Sequence, residues 1–144
     1  MTELLREQVL SALQTDWATY VERFQRLPPE AQAAFLAQQG YARLADLLAH
    51  ITAWWQDGSR MIDHLVVDPD FRMPDYDVDA FNAQAVAAAR DQDETTVVAS
   101  FEATRRNMVQ LVNRLPAPAF EDKRLANRLR IEVIGHLAEH ALIA

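Results

Sequence analysis

Between residues 42 and 67, apolar side chains recur at steps of three and four: Leu44, Leu47, Leu48, Ile51, Trp54, Trp55, Met61, Ile62 and Leu65. This is the period of a helix that buries one face, and such a stripe needs other elements to cover it. Three further stretches carry the same pattern. Leu4, Leu5, Val9, Leu13, Trp17, Tyr20, Val21 and Phe24 predict a helix from Thr2 to about Arg26, with Thr2 and Glu3 at its N-cap and Leu27-Pro28-Pro29 as its stop. Val97, Val98, Phe101, Met108, Leu111, Val112 and Leu115 predict another, capped by Asp93 or Thr95 and ended by Leu115-Pro116-Ala117-Pro118. Leu129, Val133, His136, Leu137 and His140 predict a last helix from about Leu125 to the C-terminus.

Between these lie a short helix from Pro29 through Leu36, ended by Gly40, and one from Ala80 to about Arg90, capped by Asp79. The latter and the stretch after Asp93 can together form one broken helix. Asp68 to Asp79 is the clear loop, and Phe71, Met73 and Tyr76 make it too apolar for a solvated linker. Such a loop is expected to pack at least one of these side chains over a groove. Gly58, inside the second long helix, suggests close packing or a slight bend there. Half of the 144 residues are hydrophobic, with three glycines and six prolines, which favours helix over sheet. The expectation is a single all-α domain over 1–144, an up-down four-helix bundle with one longer connection.

A net charge of −7 provides no basic footprint for nucleic acid. The chain has no cysteine, which excludes disulfides, iron–sulfur clusters and a thiol nucleophile of its own. Met1-Thr2-Glu3-Leu4-Leu5-Arg6 reads as neither a signal peptide nor a membrane span, so a cytoplasmic location is expected.

The chemistry is concentrated in histidine. His136 and His140 form an H-x-x-x-H on one helix face, about 6 Å apart. His50 lies between Leu47 and Trp54 on the stripe of the second long helix, so all three imidazoles point inward. Three buried rings without partners would be costly, and a shared divalent ion removes that cost. Three protein ligands with an open position is a catalytic pattern. The plainer alternative is three separately hydrogen-bonded core or rim histidines. His64 shares the phase of His50 but lies roughly 21 Å along the helix, which makes it a surface or rim residue.

Glu132, one turn before His136, is a candidate partner, fourth ligand or general base, whereas Glu139 reads more simply as a solvated charge. Asp46 could orient His50 but is expected to be exposed. Trp54 and Trp55 read as core and groove lining. Arg105-Arg106 reads as a solvated face, with a clamp for a substrate carboxylate as the alternative.

The inward histidine in Leu47-Leu48-Ala49-His50-Ile51-Thr52-Ala53-Trp54, the late H-x-x-x-H, and Asp77-Val78-Asp79-Ala80-Phe81-Asn82 together resemble the DinB-like (YfiT-like) superfamily over nearly the whole chain. The resemblance implies a four-helix bundle, commonly dimeric, with a divalent metal (zinc, nickel or iron) on His50, His136 and His140. It implies a metal-dependent transferase that brings a low-molecular-weight thiol such as bacillithiol, mycothiol or glutathione, or metal-bound water, to a small electrophile. A ClbS-like detoxifying hydrolase and a non-catalytic metal-binding stress protein are the alternatives. A small-molecule substrate, with neither nucleic acid nor membrane as partner, goes with each enzymatic reading.

Overall fold

The computed structural model describes residues 2–142. Every regular element among them is helical. In order, these are α1 (Thr2–Ser11), α2 (Tyr20–Gln25), α3 (Pro29–Gln39), α4 (Leu44–Val67), α5 (Val78–Ala88), α6 (Glu94–Arg114), α7 (Lys123–Leu129) and α8 (His136–Glu139). Wider π turns at Ala12–Asp16 and Arg130–Gly135 join α1 toward α2 and α7 to α8, and a 3₁₀ turn spans Ala117–Glu121. No described helix is long and apolar enough to cross a membrane.

The long stripe of α4 packs most extensively along α6 and also against α7 and the π turn after it. At the centre, Trp17, Trp55 and Phe101 are fully buried with ring centroids 5.1 to 6.1 Å apart. Truncating any of these rings to alanine would cost about 3–5 kcal/mol. Their polar handles are also used. Trp17 Nε1 donates to the Val133 carbonyl at 3.0 Å, and Trp55 Nε1 donates to the Glu132 carbonyl at 2.7 Å.

Several boundaries differ from the periodicity reading. The first helix is interrupted, because the Trp17 amide reaches back to the Ala12 carbonyl at 2.8 Å, one residue further than in an α-helix. That wider turn accompanies a Trp17 ring seated in the centre of the core. The cap placed on Thr2 involves a side chain outside those described. Asp77, not Asp79, caps α5 by accepting from the Ala80 amide at 3.1 Å, and Asp93 caps α6 by accepting from the Thr96 amide at 2.8 Å. A break at residues 89–93 makes α5 and α6 separate helices. The last helix starts at Lys123 under an Asp122 cap and ends at Glu139; its expected continuation to Ile143 and Ala144 falls outside the described residues.

Asp46 is a correction. It is buried, and its carboxylate pairs with Arg43 at 2.7 Å rather than with His50. Arg43 in turn donates to the Gln92 and Ala89 carbonyls, so the pair ties the start of α4 to the α5–α6 connection.

Candidate metal centre

His50 on α4, His136 at the start of α8 and His140 just past its end are all buried, with ring centroids 5.3 to 5.6 Å apart. One ring nitrogen from each lies within 4.8 Å of the other two, so the three lie close enough to bind a metal ion. The Nδ1 of each ring is held by a neighbour. The His136 Nδ1 meets the Glu132 carbonyl at 2.9 Å, and because a carbonyl only accepts, Nδ1 carries the proton. The His50 Nδ1 meets Asn82 Oδ1 at 3.0 Å. That oxygen also accepts from Trp54 Nε1 at 2.7 Å, and a donor-only indole fixes it as an acceptor, so His50 Nδ1 donates as well. The His140 Nδ1 meets Gln39 Oε1 at 2.6 Å while the amide nitrogen of Gln39 faces the Glu139 carbonyl, which gives the same orientation a third time.

Each imidazole therefore keeps a lone pair on Nε2. The His140 Nε2 is buried with no hydrogen-bond partner among the described residues, an arrangement that costs about 1–3 kcal/mol if left unsatisfied. Protonation cannot relieve it cheaply. Burial first, then the charge that His50 would carry, holds His136 down at about 4. Burial and the other two rings hold His140 at about 3, and burial lowers His50 as well. Neutral imidazoles anchored through Nδ1 are the form that ligates a divalent metal ion.

Beside the triad opens a cavity of about 470 Å³, lined by His50, His136, Trp54, Tyr76, Arg128 and Glu132 among others. Arg128 organises one wall. It donates to Asp57 Oδ2 at 2.8 Å and to the Tyr76 hydroxyl at 3.1 Å, and its Nε lies 3.4 Å from Glu132 Oε2. Tyr76 donates onward to Asp57 Oδ2 at 2.5 Å. One guanidinium between two carboxylates sets them apart. Burial works to raise Asp57, yet the Tyr76 and Arg128 bonds hold it below the usual range. Burial pushes Glu132 up to about 7, and the more distant Arg128 only partly offsets this. A carboxyl poised near neutral pH beside a ligand set is suited to proton transfer. Gly58 lies against this pair: a Cβ there would sit at ordinary contact distance, 3.4 Å from Glu132 Cγ and Oε2 and 3.5 Å from Arg128 Nε.

The loop behaves as its composition predicts. Met73 and Tyr76 line the cavity, while Phe71 stacks on His64 at 4.5 Å, away from it. His64 is exposed and apart from the triad. Glu139 is exposed at the cavity's rim, and Trp54 forms part of the wall, stacked on Phe81 at 4.0 Å. Arg105 pairs with Glu102 and donates to the Leu13 carbonyl, and Arg106 is exposed. Neither lines the cavity, so the carboxylate clamp is not formed there.

Sequence reasoning missed Asp57, Arg128, Asn82 and Gln39. The first two had a signal. Arg128, Glu132, His136 and His140 follow one another at steps of four, and Asp57 lies two turns after His50 on the same stripe. Asn82 and Gln39 come from separate elements; Asn82 closes the Asp77–Asn82 motif without a role being read for it, and no local pattern marks Gln39. Comparison with known proteins matched no family model, no curated protein and no solved structure to this chain.

Proposed function

We propose that this chain is a metal-dependent enzyme of the DinB-like type. In this reading α1, α4, α6 and the α7–α8 stretch make up a four-helix bundle that holds zinc, nickel or iron on His50, His136 and His140. The protein brings a low-molecular-weight thiol, or water, to a small electrophile in the adjoining cavity. One observation carries the reading: three imidazoles, each anchored through Nδ1, bring ring nitrogens within 4.8 Å of one another in a buried site beside that cavity. A cation bound there would lower the pKa of a coordinated thiol or water, so that the nucleophilic anion is present at neutral pH.

The chain's own groups do the rest. Glu132, buried on the cavity wall, takes the nucleophile's proton and returns it to the leaving group or product. Arg128 holds the Glu132 carboxyl in place, with Asp57 fixing Arg128. Trp54 and Met73 keep water from the apolar side of the cavity, and Tyr76 ties the covering loop to both helices. Glu132 beside the triad equally serves a water nucleophile, which keeps the ClbS-like hydrolase as the second reading. A cytoplasmic homodimer is part of the same proposal.

Cobalt substitution tests it. Titrating cobalt-loaded protein with bacillithiol, mycothiol and glutathione, with the His136→Ala variant as control, should shift the d–d bands for at least one thiol in the wild type only. Bands that no thiol or simple anion moves would indicate a closed site and favour the non-catalytic binding protein.

A further inference from the structure

His140 lies just past the end of α8, and two short helices far from it in sequence hold it. The Tyr20 hydroxyl, on α2, donates to the His140 carbonyl at 2.7 Å and so pins its main chain. The ring is left to Gln39, the last residue of α3. Gln39 Oε1 meets His140 Nδ1 at 2.6 Å, and the Gln39 amide nitrogen lies 3.4 Å from the Glu139 carbonyl. Gly40 follows with φ 83°, a left-handed turn in which the Gly40 and Tyr41 amides close on the Ala37 and Leu36 carbonyls. That turn sets Tyr41 against His50, with ring centroids 5.7 Å apart. Gln39 and Tyr41 thus touch two of the three histidines, and neither lines the cavity. The rest of α3 is lightly held. Of its eleven residues only Phe35 is buried, near Phe24, and Gln32 ties the first half to the Phe24 and Leu27 carbonyls. In the last turn, Gln39 alone hydrogen-bonds another element through its side chain among the described residues.

We infer that Gln39 is a positioning residue that couples the docking of α3 to metal on the triad: docked α3 holds His140 in its ligating orientation, and metal in turn holds α3 docked. A ring that ligates through Nε2 donates more strongly from Nδ1, and Gln39 accepts that hydrogen. The coupling is reciprocal by linkage, so whatever docked α3 adds to metal affinity, metal returns to the docking of α3. When the last turn of α3 lifts, His140 loses the partner that fixes its ring, while Tyr20 keeps its carbonyl in place. This rests on the proposed function only in placing a metal on the triad; no reaction enters it.

Amide hydrogen exchange over residues 33–39, on the full chain with and without zinc, reads the coupling. Saturating zinc should slow these amides by about fivefold or more in the wild type. In Gln39→Ala, loaded to the same zinc content, the slowing should shrink to about twofold or less, and zinc affinity, read by competition with a chromophoric chelator, should fall about 10–100-fold. Gln39→Glu keeps the accepting oxygen and should keep both the protection and most of the affinity. Three results would overturn the inference: zinc bound to the wild type with α3 exchange unmoved, the same protection in Gln39→Ala as in the wild type, or an affinity that Gln39→Glu loses as fully as Gln39→Ala. The zinc content of the same samples keeps the two readings apart. Zinc bound without protection of α3 overturns the coupling and leaves the proposed function standing, whereas folded protein that takes up neither zinc, nickel nor iron overturns both.

Discussion

Asn82 determines which nitrogen of His50 is free. Its oxygen accepts from both Trp54 and His50, which fixes the amide and, through it, the imidazole. Replacing Asn82 with alanine should leave the fold intact and lower metal affinity by about 10–100-fold, the usual effect of losing a partner that orients a ligand. Asn82→Asp keeps the acceptor and should retain most of the affinity; competition against a chromophoric chelator measures both. The titrating groups make a second prediction, for metal-free protein. His136 and His140 bind protons in the native state only near pH 4 and 3, but near 6.5 when unfolded, so their contribution is complete above pH 6.5 and is lost as pH falls. Glu132 acts oppositely: its contribution is complete below pH 4.5 and is lost as pH rises to about 7. Two histidines outweigh one glutamate between pH 4.5 and 6.5. The melting temperature of chelated protein should therefore rise across that window and level or dip slightly toward pH 7. A steady fall from pH 4.5 to 6.5 would contradict these assignments.

The π turn at Arg130–Gly135 links the core to the site. Winding wider than an α-helix is rare and concentrates at functional sites. Here it accompanies two carbonyls turned to side-chain donors: Glu132 to Trp55 and His136, and Val133 to Trp17. The indoles from α4 and from the end of the first π turn thus set the stretch that carries Glu132 and leads into His136. Trp55→Phe removes one donor and leaves a partly filled space, and should cost about 2–3 kcal/mol in urea unfolding. It should also weaken metal binding, because the carbonyl that orients His136 loses its second tether. A loss below about 0.5 kcal/mol with unchanged affinity would mean that the π turn stands without its indole anchor.

Across the molecule, helical phase was enough to bring His50, His136 and His140 together, because residues four apart share a face and an apolar stripe must point inward. The same logic put Glu132 on that inward face and the loop's apolar side chains over a groove, and Glu132, Met73 and Tyr76 do line the cavity. It failed where a residue's meaning comes from another element. Asp46 looked exposed until Arg43 supplied its partner, and Asn82 and Gln39 orient histidines distant in the chain. The π turns were also invisible, because they reflect where large rings must sit rather than any local preference. What remains central is whether the three free nitrogens hold an ion. Elemental analysis of protein purified without chelator and without a histidine tag tests this most directly. The account predicts about one equivalent of zinc, nickel or iron per chain, lost in His50→Ala, His136→Ala and His140→Ala and kept in His64→Ala. Folded wild-type protein that contains no such metal, and takes up none of the three when each is offered, would contradict it.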